Sequence, residues 1–183
     1  MEMLNVLNEK GDVVRQESRE TIHREGLLHA EIQVWCVTPE GEIIFQHRAK
    51  DKDTYPDLLD ATVGGHVDGD ESYDEAAVRE VFEEIGVRVT RDDLLFLMTT
   101  MEKSFDPVTG MTNYPRRNLY LLAHPVIPGD LRVEEGKSLG FESWSLEKLR
   151  AAPVTERQKF IPTIFNAEGM RAFDLIEKYI DKI

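Results

Sequence analysis

The sequence predicts an α/β fold of the mixed α+β type. Residues 30–38 alternate between apolar and polar side chains and are followed by a turn and a second apolar run at 43–48, the pattern of paired strands. Residues 73–85 repeat apolar side chains at helical spacing, and residues 167–183 do the same at the end of the chain. Strands, a helix, further strands and closing helices in this order are typical of mixed α/β architecture.

The first half of the chain supplies most of the predicted sheet. Residues 4–14 read as a hairpin that turns at Glu9-Lys10-Gly11-Asp12, within an N-terminal extension over residues 1–28. The strand at 30–38 returns through 43–48 after a turn that contains Pro39 and Gly41. We expect a polar loop at 49–60 and a short strand at 62–63, which delivers the turn at Gly64-Gly65.

The second half adds strands and the closing helices. We expect strands at 94–101, 118–123 and 139–144, separated by a long polar loop at 102–117. Ser145 caps a short helix at 146–151, and a closing element covers residues 166–183. The whole chain, residues 1–183, is predicted to be a single domain, because 183 residues suffice for one substantial core.

Composition excludes several classes of function. The net charge of −13 disfavours binding to nucleic-acid polymers or anionic membranes, because both require a basic surface. Cys36 is the only cysteine, in an apolar run, so we expect a buried thiol and no disulfide within the chain. We find neither a signal-peptide core nor an apolar run of transmembrane length, and expect a cytoplasmic protein.

The stretch GHVDGDESYDEAAVREVFEEIGV, residues 65–87, carries most of the functional information. Ser72 and Glu75 have the spacing of a capping box, so the helix begins near Tyr73, and Gly86 ends it. At helical spacing one arc is apolar: Ala77, Val78, Val81, Phe82 and Ile85. Three acids fall together on an arc away from it: Glu80, Glu83 and Glu84.

Clustered carboxylates repel one another and favour a compensating charge. A hard divalent cation provides it, because Mg²⁺ prefers oxygen ligands and is commonly held by carboxylates together with substrate phosphates. From spacing alone the acids can equally form a solvated helix face with Arg79 as their counter-ion.

The loop before the helix extends the pattern. The residues at the specified positions are Gly65, Glu71, Arg79, Glu80, Val81, Glu83, Glu84, Gly86 and Val87. Their spacing resembles the Nudix box at every position. The chain is therefore identified as a member of the Nudix hydrolase family.

This resemblance implies a function and a set of residue roles. Glu80, Glu83 and Glu84 would bind Mg²⁺ or Mn²⁺ together with the carbonyl of Gly65. Arg79 would hold the helix carboxylates, and Glu71 would brace the loop, so that Glu83, Glu84, Arg79 and Glu71 form the catalytic set. The implied reaction is attack of water on a phosphorus of a diphosphate linked to another group. The implied fold is a mixed sheet sandwiched between helices.

Beyond the box, the N-terminal half resembles the branch that includes isopentenyl-diphosphate isomerase and its hydrolase relatives. The resemblance is carried by the N-terminal hairpin, His23, His29, the region of Arg48 and the pair Gly65-His66. The isomerases have a cysteine before the Gly-His pair, whereas this chain has Gly64. The absence of that cysteine disfavours isomerase activity.

Several other residues are candidates for the substrate site. We expect His66 and Arg48 to line the pocket, and Arg116 and Arg117 to clamp phosphates or, equally, to protect a strand edge. His23, His29 and His66 could together bind a transition metal. The sequence does not single out the general base, and the candidates are Glu83, Glu102, Glu134, Glu135 and Glu142.

The leading hypothesis is a divalent-metal-dependent hydrolase of a small diphosphate, broadly a nucleoside diphosphate derivative. The alternative is a non-hydrolytic binder or regulator of phosphorylated ligands, and isopentenyl-diphosphate isomerase is third. The partner is a small-molecule substrate, and a homodimer is possible.

Overall fold

The strand His29–Val37 lies in the middle of the fold, in a computed structural model that describes residues 3–180. The strands are β1 (Met3–Leu7), β2 (Val13–Ser18), β3 (His29–Val37), β4 (Ile43–Arg48), β5 (Leu59–Asp60), β6 (Val63–His66), β7 (Leu94–Met101), β8 (Ser104–Phe105), β9 (Thr112–Asn113), β10 (Pro115–Leu122) and β11 (Ser138–Trp144). The α-helices are α1 (Arg19–Glu25), α2 (Tyr73–Glu80), α3 (Leu146–Ala151), α4 (Val154–Arg157) and α5 (Ala167–Ile180). Short 3₁₀ turns occur at Arg91–Asp93, Pro128–Asp130 and Pro162–Phe165.

The sheet is mixed, with β3 at its centre. β10 runs parallel to β3, from the pair Pro115↔His29 to Leu121↔Trp35. β6 runs antiparallel to β3 and places His66 opposite Glu31. β1, β4, β7 and β11 extend the sheet through antiparallel pairs. The register therefore brings the ends of β3, β6 and β10 together.

Alternation along β3 builds two apolar layers, one on each face of the sheet. Ile32, Val34 and Cys36 belong to the core that includes Val81 beside α2. Trp35 belongs to the opposite core, with Phe173 of α5. Successive side chains of a strand point to opposite faces, so one strand supports both layers. The predicted sandwich of helices around a mixed sheet is confirmed.

The helix that carries the acids begins as predicted but changes its geometry halfway. The capping box of Ser72 and Glu75 is formed in both directions. After Glu80 the chain continues as a π-helical turn over Val81–Ile85, and Gly86 ends it at φ 75°. A π-helical turn bonds each residue to the fifth one along and so changes which way later side chains point.

The predicted division into an apolar arc and an acidic arc is therefore wrong in part. Phe82 is 39% exposed, whereas Glu80 and Glu84 are buried. Of the three acids, Glu83 remains the accessible one. The acids do not share a solvated face, because Glu80 packs against Gly65 and Glu84 is bonded to Gln46 and Gly64.

Three further segments differ from expectation or extend it. The charged region after β2 forms α1, which Ser18 caps and Gly26 ends at φ 62°. The predicted loop at 102–117 contains the β8–β9 hairpin and the start of β10, because Pro115 is tolerated as the first residue of a strand. The closing helix runs to Ile180, and its predicted residues 181–183 lie outside the described range.

Cys36 is fully buried in β3, and burial raises the pKa of its thiol to about 12. Within residues 3–180, no helix combines the length and apolar character needed to cross a bilayer.

Candidate active site and metal centre

A cavity of about 320 Å³ crosses the face of the sheet that looks toward α5. Its floor includes Glu31, Gln33 and Trp35, alternate residues of β3 that share one face. The π-helical turn and the end of α2 contribute Glu80, Glu83 and Glu84 to its wall. Asn166 and the first residues of α5 also line it. The acids thus open onto a cavity with both polar and apolar walls.

Gly65 and Glu80 fit together because residue 65 has no side chain. A methyl group on Gly65 would lie 2.2 Å from the carboxyl carbon of Glu80, far inside contact distance. The buried Glu80 carboxylate occupies that space against β6. Gly65 and Glu80 are therefore in contact, which is compatible with the predicted binding of one metal ion by the Gly65 carbonyl and the helix acids.

Arg79 connects the loop and helix acids. Its Nη1 donates to Glu80 Oε1 at 2.7 Å and to Glu83 Oε2 at 3.1 Å. Its Nε and Nη2 donate to the two oxygens of Glu71 at 3.0 and 2.9 Å, and Nη2 also donates to the carbonyl of His66. The bidentate bond from Arg79 holds the pKa of Glu71 below its usual value. One guanidinium thus fixes the loop and two acids in a single arrangement.

Glu84 is the most deeply buried of the three acids. Its Oε2 accepts from Gln46 Nε2 at 3.0 Å and from the backbone N–H of Gly64 at 3.2 Å. Burial, and then the negative charge of Glu80, raise the pKa of Glu84 to about 7. Burial likewise raises the pKa of Glu80. Burial of these acids, and for Glu84 also the charge of Glu80, therefore opposes their ionisation when no cation is bound.

This donor set fits a hard divalent cation. Carboxylate and carbonyl oxygens are the ligands such ions prefer, and raised carboxyl pKa values are expected where acids converge without enough counter-charge. Glu80, Glu83, Glu84 and the carbonyl of Gly65 are the residues that could hold it.

Lysines line the cavity near the acids. Lys52 lies in the segment between β4 and β5, where burial and then the positive charge of Arg48 lower the pKa of its ammonium. Lys137 also lines the cavity and forms an ion pair with Glu134 at 3.0 Å. Sequence reasoning missed both lysines, because a single lysine in a polar loop carries no pattern.

The predicted arginines behave differently from one another. Arg48 lines the cavity, but its guanidinium donates to the carbonyls of Thr54 and Tyr55 and to Asp60, so it braces a loop. Arg117 lines the cavity and is paired with Glu31 at 2.5 Å. Arg116 lies outside the cavity against the ring of Tyr73. Adjacent residues of β10 point to opposite faces, so the two cannot form the predicted phosphate clamp together.

The structure brings His23, His29 and His66 together although His66 is far from the other two in sequence. Their ring centroids lie 5.3 to 5.6 Å apart, and all three side chains are buried. Glu31 joins them, with Oε1 at 3.1 Å from His29 Nε2 and 3.6 Å from His66 Nε2. One ligand atom from each of the four lies within 4.8 Å of the others.

Neighbouring groups orient two of these imidazoles. His29 Nδ1 contacts the carbonyl of Leu27 at 2.9 Å, and His23 Nδ1 contacts Asp53 Oδ2 at 3.0 Å. The other ring nitrogen of His23, Nε2, is buried and has no hydrogen-bond partner among residues 3–180. Histidine ligands of metals typically have their second nitrogen fixed in this way, so the cluster has the donor chemistry of a transition-metal site.

Glu31 is the other important residue that sequence reasoning missed. The signal was present, since an acid and Gln33 interrupt an otherwise apolar strand on one face. Among the candidate bases, Glu83 and Glu102 line the cavity, whereas Glu134, Glu135 and Glu142 do not. Two of the five predicted candidates for the base therefore border the cavity.

Curated relatives match part of the chain. An uncharacterized Nudix hydrolase of Streptomyces coelicolor is 38% identical over 96 residues, which cover 52% of this chain and 53% of the relative. The uncharacterized Nudix hydrolase YfcD of Escherichia coli is 38% identical over 86 residues, covering 47% of this chain and 48% of that protein. The match thus spans about half the length of these curated relatives.

A solved structure and a family model each match a larger share of this chain than the curated relatives do. The crystal structure of DR0079 from Deinococcus radiodurans is similar with a TM-score of 0.62 and 25% identity, covering 81% of this chain and 86% of that one. The Nudix domain model matches residues 27–164, which include the Gly65 loop, α2 and most of the cavity. This chain belongs to the Nudix domain family.

Proposed function

We propose that the protein is a divalent-metal-dependent hydrolase of a small diphosphate linked to another group. The observation that carries the proposal is the convergence of Glu80, Glu83 and Glu84 at a cavity, with more negative charge than Arg79 neutralises. The relatives named above are called Nudix hydrolases, which supports the same activity. A nucleoside diphosphate derivative is the broadest substrate class consistent with this site.

The acids of the helix would hold Mg²⁺ or Mn²⁺ with the Gly65 carbonyl. When bound, such an ion polarises phosphate oxygens and acidifies water. Arg79 keeps Glu80 and Glu83 oriented, and Gln46 with the Gly64 N–H keeps Glu84 oriented. These hydrogen bonds preorganise the acids before substrate enters.

The cationic side chains at the cavity would bind the diphosphate. The Lys52 ammonium is partly buried and interacts electrostatically with the Glu84 carboxylate. A diphosphate bound beside the acids would compensate the positive charge of Lys52 more fully than water does. Of the bases predicted from sequence, Glu83 and Glu102 line the cavity, and we propose that one of them accepts a proton from water.

We infer a second cation site at the cluster of His23, His29, His66 and Glu31. Three imidazoles and one carboxylate suit Mn²⁺, Zn²⁺ or another transition metal better than Mg²⁺. Co²⁺ titration of the metal-stripped protein should give visible d–d absorption, and His29→Gln should abolish it. The control is His124→Gln, whose ring is exposed and pairs with Asp93 outside the cluster. Unchanged absorption in His29→Gln would exclude the site.

The hydrolase proposal is tested by product release. We would measure phosphate or phosphorylated product from nucleoside diphosphate derivatives, nucleoside triphosphates, dinucleoside polyphosphates and isoprenoid diphosphates, with and without Mg²⁺. We expect metal-dependent release from at least one class, lost in Glu84→Gln and retained in Glu147→Gln, an exposed acid of α3. Equal release by wild type and Glu84→Gln would contradict the proposal.

The alternatives predict other results in the same assay. Ligand binding without release across the panel would favour the non-hydrolytic binder. The isomerase reading requires a proton-transfer group that its family places before the Gly-His pair, and Gly64 offers no side chain there. The net charge of −13 supports a small-molecule partner rather than a nucleic-acid polymer or an anionic membrane. A homodimer and a cytoplasmic setting stay part of the proposal.

A further inference from the structure

The segment of residues 49–58, between β4 and β5, is called the lysine loop here because it carries Lys52. It also carries Asp53, which accepts from Arg19 at 2.9 and 3.1 Å and contacts His23 at 3.0 Å. The loop thus supplies Lys52, together with Thr54 and Tyr55, to the cavity and Asp53 to the histidine cluster. Its backbone conformation decides where both groups lie.

That conformation is strained. Tyr55 has φ 47° and Asp57 has φ 60°, in the left-handed region that residues with a Cβ rarely adopt. A loop with two such residues is not the conformation the free segment would prefer. Contacts from outside the loop must therefore hold it.

Two charged side chains form hydrogen bonds with the backbone of Tyr55, one with its carbonyl and one with its N–H. Arg48 Nε donates to the Tyr55 carbonyl at 3.1 Å, and the Tyr55 N–H donates to Asp106 Oδ2 at 2.7 Å. Asp106 follows β8, is 1% exposed and does not line the cavity. It links two segments that are about fifty residues apart in the chain.

Asp106 is itself held firmly. It accepts from Val108 N at 2.9 Å and from Thr109 Oγ1 at 2.8 Å, besides Tyr55. Burial alone would raise the pKa of Asp106, but these hydrogen bonds outweigh it and hold that pKa below its usual value. The carboxylate is therefore an ionised, oriented acceptor, which makes a strong hydrogen bond to an amide.

We propose that Asp106 is a positioning residue, which holds the Tyr55 peptide and thereby the lysine loop in the conformation that places Lys52 in the cavity. This inference rests on the proposed function, in which Lys52 binds the substrate diphosphate. Asp106 acts through the loop, because it has no contact with the cavity of its own.

The test compares wild type, Asp106→Asn, Lys52→Met and the double variant. The readouts are the dissociation constant of methylene diphosphonate with Mg²⁺ and the amide hydrogen exchange of residues 49–58. The matched control is Asp93→Asn, because Asp93 also accepts a backbone N–H, from Thr90 at 2.7 Å, but lies outside the cavity. Thr109→Val is a milder variant for the case that Asp106→Asn does not fold, since it removes one donor to the same oxygen.

We expect Asp106→Asn to speed exchange at residues 49–58 and to weaken diphosphonate binding about tenfold, the size of one weakened charged hydrogen bond. In the Lys52→Met background the same substitution should leave affinity unchanged, because the group it positions is gone. Asp93→Asn should alter neither readout.

Other outcomes separate the two proposals. Unchanged exchange in Asp106→Asn, or an affinity loss of the same size with and without Lys52, would overturn the positioning role. If Lys52→Met binds as wild type does, the role of Lys52 is wrong and the positioning role is overturned with it. If wild type does not bind the diphosphonate, the proposed function fails, and exchange alone decides whether Asp106 holds the loop.

Discussion

The side chain of Glu80 fills the space that a side chain on Gly65 would need. A Cβ at residue 65 would lie 2.2 Å from the Glu80 carboxyl carbon, although Gly65 itself has no positive φ. The requirement for glycine is therefore one of close approach between β6 and α2, and the conformation of the strand does not impose it.

Gly65→Ala should accordingly displace Glu80 and lower kcat/KM about a hundredfold while the protein stays folded, because small displacements of reacting groups have large effects on rate. Steady-state kinetics and circular dichroism check this. The neighbouring Gly64→Ala is the control, since its Cβ would lie 3.8 Å from the nearest atom, an ordinary contact. Equal losses in both variants would contradict the steric explanation.

Glu84→Gln should stabilise the metal-free protein at pH 8. The pKa of Glu84 is about 7 in the fold against an ordinary value of 4.5, so its ionisation destabilises the native state as pH rises from 4.5 through 7. Glutamine keeps an oxygen to accept from Gln46 and Gly64 but cannot ionise. We expect an advantage of about 3 kcal/mol at pH 8 that shrinks toward pH 5, measured by urea unfolding in EDTA. An advantage independent of pH would argue against a buried charge.

Arg79→Lys should reduce activity more than its charge alone suggests. A single ammonium cannot reach Glu71, Glu80 and Glu83 together, whereas the guanidinium bonds to all three. We expect kcat to fall about tenfold or more and the Mg²⁺ needed for half-maximal rate to rise. Arg91→Lys serves as the comparison, because Arg91 is largely exposed and pairs with Asp74 in the first turn of α2. A similar fall of kcat in Arg91→Lys would show that the loss in Arg79→Lys does not depend on the bonds of Arg79 to the three acids.

Glu31→Gln should destabilise the protein strongly. It leaves the largely buried Arg117 without its carboxylate, and breaking a buried pair in this way typically costs about 3 to 5 kcal/mol. The paired replacement Glu31→Leu with Arg117→Leu should cost much less. Urea unfolding at pH 7 compares them, and an equally large loss in the double variant would show that the apolar pair does not pack.

The stability that the Glu31–Arg117 pair contributes should depend on pH in the acid range. Burial would raise the pKa of Glu31, but Arg117 and His29 outweigh it and hold that pKa well below its usual value. A depressed carboxyl pKa gives stability that is present above the unfolded value and is lost as pH falls through the folded one. Wild type should therefore lose this contribution progressively as pH falls from about 4.5 toward the depressed pKa of Glu31, while Glu31→Gln should lack it at every pH.

Local signals predicted the start and end of the acid-bearing helix. The Ser72 and Glu75 capping box and Gly86 depend on neighbours in sequence, and all three took the expected roles. The π-helical turn between them did not follow from the pattern, because it adds no change in residue type. Burial of Glu80 and Glu84 depends on their contacts with Gly65 and Gln46, which are distant in sequence, so no pattern within the helix predicts it.

Long-range pairing explains the other differences. His66 meets Glu31 through the register of β6 with β3, and Arg117 reaches the same place through parallel pairing of β10. No spacing within one segment encodes these meetings. His23 arrives on α1, outside the residues that the family model matches, and still lines the cavity.

Because Cys36 is fully buried, its rate of alkylation can be used to measure opening of the native protein. Only a thiolate reacts quickly with alkylating reagents, and this thiol is both enclosed and hard to ionise. Its modification rate in the native protein therefore reports how often the central strand is laid bare. Cysteines introduced on the surface for fluorescent probes would react long before it, so wild-type Cys36 need not be removed first.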